Sequence, residues 1–321
     1  MNKETQTPLP NFFIVGAAKC GTTSLYHYLK KHPEVYLSPI KEPNHFCSDI
    51  DPEEFSQQYK DIEKRKRLDL ETYTQGDMKR EVWGYFVQDW NHYTKLFKNV
   101  KNEKAVGEIS NTYLFSNVAA KNIKEKIPNA KIIAMLRNPA DRIYSHYMAN
   151  LRDGKTFLSF ADEMEDDYRK PKKGWYVSHA YYEMGMYYEQ VKRFYDQFPK
   201  EQIRIYIYDD FKVEQENIVR DMLSFLEVDA NVKLDFSERH NQAAVPKNRY
   251  FMYLISATGI KKNLFRIVPQ TLKRKLKSTF FKSSEIPKMT AEERQKIINI
   301  YRDDVLKLQD LLKRDLSMWL K

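Results

Sequence analysis

The chain has 321 residues, of which 42% are hydrophobic and 14% aromatic, so a disordered polypeptide is excluded and a substantial core is expected. The formal net charge of +10 indicates an acidic partner, but it does not distinguish nucleic acid, an anionic membrane, an acidic polymer or a polyanionic cofactor. Only two cysteines occur, Cys20 and Cys47, which excludes a disulfide framework or a zinc cluster and fits a reducing compartment.

The chain starts with a polar leader, residues 1–10, followed by a short apolar run. No segment approaches the roughly 18 apolar residues that a membrane span needs. We therefore expect a cytoplasmic protein without a signal peptide or transmembrane segment. The many Lys, Ile, Asn and Tyr residues beside only nine Gly fit the base composition of a genome, and a bacterial source is expected.

Strands and helices are predicted in alternation from the start of the chain. The continuous apolar run at 11–17 predicts a strand buried on both faces. Helical spacing follows at 22–33 and stops at Pro33, and 34–39 predicts a second short strand. The highly charged stretch that follows, which includes "EKRKR" at 63–67, is expected to be surface helix and loop and not a binding patch.

The middle of the chain repeats the pattern with a strand at 104–110, a helix at 117–128 and a strong strand at 130–139. A helix at 139–154 has Pro139 in its first turn. Four elements complete the chain: a tyrosine-rich helix at about 181–198, a strand at 203–209, a helix at 214–227 and a helix at 290–320 that begins with the capping-box pair Thr290 and Glu293. This alternation predicts an α/β fold: one three-layer domain over 1–321, with a central, mostly parallel sheet flanked by helices.

The first strand leads into a loop that resembles a phosphate-binding loop with its lysine displaced. Gly16 and Gly21 have the spacing of a nucleotide triphosphatase loop, but Thr22 holds the position of the lysine, and Lys19 lies inside the loop. Read alone, the loop leaves two interpretations open: an altered triphosphate loop, or a loop for a different anion.

The turn from strand to helix would direct free backbone N–H groups and the positive end of the helix at an anion. Gly21 allows close approach of the backbone, and hydroxyl donors follow at Thr22, Thr23 and Ser24. Cys20 is interpreted as a small filler residue and not as a nucleophile.

Two further segments add cations near predicted strand ends. Arg137 ends the strand at 130–139, and Ser145 follows two helical turns later, so the pair is suited to grip a phosphate; an ion pair with Asp141 is the alternative for this arginine. The third segment, 240–251, carries Lys247, Asn248 and Arg249 in a loop that is either solvated or part of the site. Together the three segments would surround a small ligand with two separated anionic groups.

These segments resemble the sulfotransferases that use 3′-phosphoadenosine 5′-phosphosulfate (PAPS). "GAAKCGTTSL" is similar to their 5′-phosphosulfate loop, and "LRNPADRIYSHY" to their 3′-phosphate motif. "VPKNRYF" resembles the loop that closes over the cofactor in the heparan-sulfate-type branch. Weaker likenesses continue in 107–114, 198–211 and 310–320, so the resemblance extends over nearly the whole chain.

The resemblance implies that PAPS is the cofactor, that adenosine 3′,5′-bisphosphate is the product and that no metal is required. The cofactor-binding residues it implies are Lys19, Cys20, Gly21, Thr22, Thr23, Ser24, Arg137, Ser145, Lys247, Asn248 and Arg249. It also implies a catalytic role for Lys19, whose counterpart contacts the oxygen that bridges phosphate and sulfate, where negative charge develops in the transition state.

A general base is expected in "SPIKEPNHF", residues 38–46, which resembles the glutamate-containing segment of carbohydrate and bacterial sulfotransferases. Glu42 is the candidate base for the acceptor hydroxyl, and its alternative is an ion pair with Lys41. His45 is a second candidate, although the histidine of the steroid and phenol branch follows a later strand, where this chain has Glu108 and no histidine.

Other positions receive weaker interpretations. Glu108 is expected to be either a carboxylate on the substrate side or a structural carboxylate. Trp83 and Tyr85 would stack on adenine or line the acceptor cleft, Trp83 on the substrate side, and packing is the alternative for both. Gly185 is expected to allow core packing or a close approach near the acceptor. The acceptor itself is expected to contact three variable segments, at about 48–104, 152–180 and 255–288.

The acceptor is expected to be a hydroxyl on a carbohydrate or glycolipid, with a sterol, another lipid or a small alcohol as alternatives. Two other classes of function remain open: a kinase or nucleotide triphosphatase with an altered loop, which needs Mg²⁺, and a basic anion-binding protein without catalysis. We expect no nucleic-acid partner, and the oligomeric state is not predicted.

Overall fold

The computed structural model describes residues 7–66, 68–236, 245–258, 281–282 and 288–321. Its strands are β1 (Phe12–Gly16), β2 (Val35–Leu37), β3 (Ile40–Lys41), β4 (Val82–Trp83), β5 (Ala105–Ile109), β6 (Lys131–Leu136), β7 (Ile203–Ile207), β8 (Val245–Pro246) and β9 (Phe281–Lys282). The helices of the N-terminal half are α1 (Thr22–Lys30), α2 (Gln57–Lys66), α3 (Leu70–Gln75), α4 (Trp90–Lys95), α5 (Thr112–Phe115), α6 (Ala119–Lys126) and α7 (Pro139–Asp153). Those of the C-terminal half are α8 (Phe160–Arg169), α9 (Tyr187–Gln197), α10 (Tyr208–Val213), α11 (Gln215–Phe225), α12 (Arg249–Ala257) and α13 (Ala291–Leu312).

The central sheet has five strands in the order β2-β5-β1-β6-β7, and every pair in it is parallel. All five residues of β1 and five of the six in β6 are buried, because helices cover both faces of these central strands. The predicted α/β class and the mostly parallel sheet are therefore confirmed. Two short pairs, parallel β3-β4 and antiparallel β8-β9, lie outside the central sheet.

Close packing in the sheet depends on Gly107 in β5. A Cβ atom at this position would lie 2.5 Å from both the carbonyl oxygen and the ring of Phe12 in β1. Since real Cβ contacts are longer than this, glycine is needed for β1 and β5 to pair at this register.

Local signals set the limits of α7. The Asn138 side chain accepts a hydrogen bond from the N–H of Ala140, Pro139 occupies the first turn, and Gly154 ends the helix at φ 71°. These limits agree with the helix predicted at 139–154. Because α7 follows β6 directly, it begins at the edge of the sheet where the parallel strands end.

Two predicted helices are shorter than expected. The helix predicted at 181–198 starts only at Tyr187, because the Asp304 carboxylate of α13 accepts the N–H groups of Tyr187 and Tyr188 and caps α9 from a distant part of the chain. The helix predicted at 290–320 has the expected capping box but ends at Leu312, where Lys313 adopts φ 51°.

Gly185 lies in the short 3₁₀ turn before α9 and faces α13. A Cβ atom there would lie 2.6 Å from the hydroxyl oxygen of Tyr301. The close approach expected at this glycine is therefore an approach of α13 within the core. In the part of the chain that the structure describes, no helix is both long enough and apolar enough to cross a bilayer.

Candidate active site

A cavity of about 670 Å³ opens at the edge where β1, β5 and β6 end. The loop after β1, the segment around Glu42 and the cavity-facing side of α7 form most of its wall. Since all these strands run parallel, their following segments meet at one edge, as expected for ligand sites of open α/β sheets.

The loop after β1 presents an open helix end to the cavity. Lys19 has φ 69° and Gly21 has φ 90°, and a Cβ atom at Gly21 would lie 2.8 Å from the ring of Tyr208. No side chain caps α1, and Thr22, Thr23 and Ser24 line the cavity. This arrangement offers backbone N–H groups and hydroxyls to an anion.

Lys19 lies half-buried in the cavity wall, and none of the described residues places a carboxylate within ion-pair distance of its ammonium group. Burial lowers the pKa of Lys19 from 10.5 to about 8; the charges of Arg152 and Lys155 act in the same direction, whereas those of Asp153 and Glu42 act in the opposite direction. A half-buried ammonium group that no described carboxylate pairs with directly is suited to an anionic ligand.

Arg137 braces the same loop. Its Nη1 donates to the carbonyl oxygen of Lys19 at 3.3 Å, and its guanidinium lies 4.9 Å from the ring centroid of Tyr208. Its buried Nε has no hydrogen-bond partner in the described part of the chain. The ion pair with Asp141 is not formed, because that carboxylate bonds Arg294 at 2.7 Å; Arg137 thus keeps donors for a ligand.

Ser145 lies on α7 and lines the cavity together with Arg137, as the motif predicted. Arg142, between them in sequence, is fully buried and donates instead to the carbonyl oxygen of Tyr181. The phosphate-binding pair suggested by the sequence is therefore in the cavity, and the intervening arginine is part of the core.

Glu42 follows β3 directly, adopts φ 62° and lines the cavity with 20% of its side chain exposed. Its Oε1 accepts hydrogen bonds from Lys41 Nζ and from Asn111 Nδ2, both at 2.8 Å. The pair with Lys41 is thus formed, while Oε2 has no partner among the described residues. Lys41 Nζ also lies 4.9 Å from the ring centroid of Trp83, which lines the cavity and is 43% exposed.

His45 does not reach the cavity. Its Nδ1 is 2.7 Å from the carbonyl oxygen of Val87, and its ring stacks on Tyr93 with centroids 4.3 Å apart. Burial lowers the pKa of this imidazole. His45, which follows the left-handed turn at Asn44, therefore lies outside the cavity wall, whereas Glu42 lines it.

Glu108 does not lie on the substrate side, and its surroundings fit the alternative of a structural carboxylate. It is 1% exposed, does not line the cavity, and accepts hydrogen bonds from Tyr93, Tyr113 and Ser110 at 2.7–2.8 Å. Burial raises its pKa to about 7, while the three hydroxyl donors act in the opposite direction. It is a core carboxylate beneath the site and not a group on the substrate side.

The remaining predicted cofactor residues lie outside the cavity wall. Cys20 is fully buried, with Sγ 3.6 Å from the hydroxyl of Tyr187, which agrees with a filler role. Asn248 caps α12 by accepting the N–H of Phe251, and neither Lys247 nor Arg249 lines the cavity. The structure thus brings together the first two predicted segments, while Lys247, Asn248 and Arg249 of the third lie outside the cavity wall and its residues 240–244 lie outside the described part of the chain.

Several cavity residues were not singled out in the sequence. Tyr59 and Tyr176 stack with ring centroids 4.2 Å apart, and Lys155 Nζ lies 4.8 Å from the ring centroid of Tyr59. Burial keeps the pKa of His146 well below 6.5 and lowers that of His179 to about 3, so both imidazoles are neutral. The predicted acceptor-side segments 48–104 and 152–180 do contain Tyr59, Lys155, Tyr176 and His179. Of the third such segment, 255–288, residues 259–280 and 283–287 lie outside the described residues.

A second cavity of about 400 Å³ adjoins the first and shares Lys155 and His179 with it. Its wall mixes apolar side chains such as Phe157 and Tyr253 with polar ones such as Ser56. Neither Lys19 nor Arg137 lines the second cavity, so it offers a ligand room beyond the loop after β1. Among the described residues, no group of three or more His, Cys, Asp or Glu side chains is arranged to hold a metal ion.

Comparisons with known proteins agree with this geometry. "Carbohydrate sulfotransferase 15" of Homo sapiens is 28% identical over 193 residues, which cover 49% of this chain and 30% of that protein. "Bifunctional heparan sulfate N-deacetylase/N-sulfotransferase 2" of Homo sapiens is 31% identical over 147 residues, which cover 45% of this chain and 13% of that protein. The chain thus spans less than a third of the length of these relatives.

A solved structure is similar over the whole chain. The sulfotransferase from Alicyclobacillus acidocaldarius is 29% identical, with a TM-score of 0.70 that covers 98% of this chain and 100% of that one. The model of the sulfotransferase family matches residues 10–231, a range that contains the loop after β1, Glu42, Arg137 and Ser145. This chain therefore belongs to the sulfotransferase family, a family of transferases.

Proposed function

We propose that the protein transfers a sulfuryl group from PAPS to a hydroxyl group of an acceptor, most favourably a carbohydrate or glycolipid. The observation that carries this proposal is the presence of Lys19 and Glu42 in one cavity, with Arg137 and Ser145 in its wall. The family membership supports the reaction class, and the named relatives support a carbohydrate as acceptor.

The residues around the loop fit a ligand with two anionic groups. The uncapped start of α1, with Gly21 and the hydroxyls of Thr22 and Thr23, would hold the phosphosulfate end. Arg137 and Ser145 would hold the 3′-phosphate, since Arg137 Nε is a buried donor without a partner in the described residues. When bound, PAPS supplies the sulfuryl group and departs as adenosine 3′,5′-bisphosphate.

Two groups of the chain would act on the reacting atoms. Glu42 would take the proton of the acceptor hydroxyl while the oxygen of that hydroxyl bonds to sulfur. Lys19 would stabilise the negative charge that develops on the phosphate oxygen as its bond to sulfur breaks. Oε1 of Glu42 is already held by Lys41 and Asn111, so the free Oε2 is the oxygen available to the acceptor.

The acceptor would lie against the aromatic wall of Tyr59 and Tyr176 and extend towards the second cavity. Flat aromatic faces beside polar groups suit a sugar ring, which has apolar faces and polar edges. A sterol, another lipid or a small alcohol is the alternative acceptor. Incubation of labelled PAPS with a cell extract, followed by mass spectrometry of the labelled product, would identify it.

A calorimetric titration tests the nucleotide preference. We expect adenosine 3′,5′-bisphosphate to bind without metal and more tightly than ATP with Mg²⁺, and Arg137→Ala to weaken that binding. Arg169→Ala is the matched control, because Arg169 is 76% exposed and, among the described residues, forms its ion pair with Glu165 of its own helix. A preference for Mg-ATP would instead support a kinase or triphosphatase.

The role of Glu42 is tested by Glu42→Gln, which keeps the shape of the side chain but cannot take a proton. We expect transfer to be lost while affinity for adenosine 3′,5′-bisphosphate stays nearly unchanged. Near-normal turnover in this variant would show that another residue is the base.

A further inference from the structure

The turn that carries Glu42 has an unfavourable backbone conformation, which contacts with other parts of the chain must stabilise. Glu42 has φ 62° and Asn44 has φ 53°, a left-handed conformation that residues with a side chain rarely adopt. Such a turn persists only where surrounding contacts determine it. The contacts that hold residues 42–46 therefore decide where the Glu42 carboxylate lies.

Consecutive backbone amides of this turn donate to two side-chain hydroxyls. The N–H of Asn44 donates to Ser110 Oγ at 3.3 Å. The N–H groups of His45 and Phe46 both donate to the Tyr113 hydroxyl oxygen, at 3.0 and 3.4 Å. Both hydroxyls belong to the segment that follows Glu108 in sequence.

Glu108 determines how these two hydroxyls are oriented. Ser110 donates its hydrogen to Glu108 Oε2 at 2.7 Å, and Tyr113 donates its hydrogen to Oε1 at 2.8 Å. A hydroxyl has only one hydrogen, so a hydroxyl that gives it to the carboxylate turns its lone pairs to other donors. The carboxylate thereby makes both oxygens acceptors for the amides of the turn.

The same segment touches Glu42 directly. The N–H of Glu42 donates to the carbonyl oxygen of Ile109 at 2.9 Å, and Asn111 Nδ2 donates to Glu42 Oε1. Thr112 Oγ1 donates to Asn44 Oδ1 at 2.6 Å. Residues 108–113 therefore fix both the backbone of the turn and one oxygen of the candidate base.

We propose that Glu108 is a positioning residue for proton transfer: through the hydroxyls of Ser110 and Tyr113, its buried carboxylate holds the left-handed turn that presents Glu42 to the acceptor. This inference rests on the proposed role of Glu42 as base. It gives a function to a buried carboxylate that touches neither the cavity nor any cation in the described part of the chain.

The surroundings of Glu108 are consistent with this role. The titratable groups that face it are the hydroxyls of Tyr93 and Tyr113 and the thiol of Cys47, and burial raises the pKa of all three. These groups stay neutral near neutral pH and act as hydrogen donors. Among the described residues, the hydrogen bonds from Ser110, Tyr93 and Tyr113 favour the charged form of Glu108, whereas burial raises its pKa to about 7. The tests below are therefore made at about pH 8, where the carboxylate predominates.

Two tyrosines provide a matched test. Tyr93 and Tyr113 are both fully buried, and each donates its hydroxyl hydrogen to Glu108 Oε1. Only the Tyr113 hydroxyl also accepts amides of the Glu42 turn. Tyr113→Phe and Tyr93→Phe thus remove equivalent bonds to Glu108, but only the first uncouples the turn.

Two measurements are made on wild type, both tyrosine variants and Glu42→Gln, with adenosine 3′,5′-bisphosphate titrated as a control for folding. The first is hydrogen exchange at the amides of residues 44–46. The second is the kcat and KM for transfer of ³⁵S from PAPS to one carbohydrate extract. We expect Tyr113→Phe to expose the amides of His45 and Phe46 and to lower kcat roughly tenfold to a hundredfold, with bisphosphate affinity unchanged. The kcat of Tyr93→Phe should fall far less. Glu42→Gln should lose sulfuryl transfer, while hydrogen exchange at the amides of residues 44–46 stays unchanged.

Equal losses of kcat in the two tyrosine variants would overturn the proposal, because they would indicate a general effect on the core. Unchanged amide protection in Tyr113→Phe would overturn it as well. If wild type binds the bisphosphate but transfers no label, the proposed function fails, whereas the exchange comparison still decides whether the Tyr113 hydroxyl, which Glu108 orients, holds the turn.

Discussion

Replacement of Lys19 by Met should stabilise the ligand-free protein and at the same time remove its transferase activity. The folded protein holds the Lys19 ammonium half-buried, without a carboxylate partner among the described residues, and this lowers its pKa from 10.5 to about 8. Folding therefore disfavours the charged form. Met keeps the aliphatic length of the side chain and has no charge to bury.

The size of the effect follows from the shift in pKa. A shift from 10.5 to about 8 corresponds to about 3 kcal/mol of destabilisation below pH 8. Because part of the side chain contacts water, we expect roughly half of this, a gain of roughly 1–2 kcal/mol for Lys19→Met at pH 7. For a chain of this length, that gain raises Tm by about 2–3 °C.

The dependence on pH separates this cause from others. A lysine whose pKa is lowered on folding destabilises fully below its folded pKa, and the penalty vanishes as the pH rises from about 8 to 10.5. The advantage of Lys19→Met should therefore shrink between pH 7 and pH 9.5. Thermal unfolding without ligand at both pH values measures this difference in stability. Lys121→Met is the control, because Lys121 is 68% exposed and its removal relieves little burial of charge.

A lower Tm for Lys19→Met at pH 7 would refute the reasoning, as would a gain of equal size at both pH values. Loss of turnover is expected in the same variant because Lys19 is proposed to stabilise the departing oxygen. A variant that is more stable but inactive would place Lys19 among residues that favour function at the expense of stability.

Other predictions test separate parts of the structure. The pKa of Glu108 is raised from 4.5 to about 7, so wild type should lose about 3 kcal/mol of stability as the pH rises through this window. Urea unfolding at pH 5 and 7.5 should show that the free energy of unfolding changes less with pH in Glu108→Gln than in wild type. An equal change in both proteins would contradict the shift in the pKa of Glu108. Arg137→Lys should weaken adenosine 3′,5′-bisphosphate binding about tenfold by calorimetry, because lysine lacks the forked donors; equal affinity would speak against a phosphate contact. Gly185→Ala should cost roughly 1–3 kcal/mol through its clash with the Tyr301 hydroxyl, and addition of Tyr301→Phe should recover part of this loss; strict additivity of the two changes would be inconsistent with a clash. Thr290→Ala should cost about 1 kcal/mol in urea unfolding through loss of the capping box, and no loss would mean that the cap is not formed in solution.

Features with a local cause were predictable from the sequence. Apolar runs gave the central strands, and Asn138, Pro139 and Gly154 act within a few residues to set the limits of α7. Lys19 and Arg137 were found for a similar reason, because each lies at a strand end and such ends meet at one edge of a parallel sheet. Motif spacing at strand ends, read together with the resemblance to the sulfotransferases, indicated both residues.

Features that depend on distant contacts were not predictable. The start of α9 is set by Asp304, 117 residues away from Tyr187, so helical periodicity alone placed it too early. Side-chain direction after Glu42 depends on Tyr113, 68 residues from His45, so the sequence could not show that His45 turns away from the cavity. Likewise, the stacked pair of Tyr59 and Tyr176 is made by residues far apart in sequence.

The contacts of α13 also affect how far the protein can fold while it is being synthesised. Arg294 bonds Asp141, the Tyr301 hydroxyl donates to the carbonyl of Tyr182, and Asp304 caps α9. The loop around Lys19 is synthesised before α13, yet Asp141, Tyr182 and the start of α9 are held by residues of α13. During synthesis on the ribosome, a nascent chain that lacks α13 would therefore have its anion-binding loop but not a finished cavity.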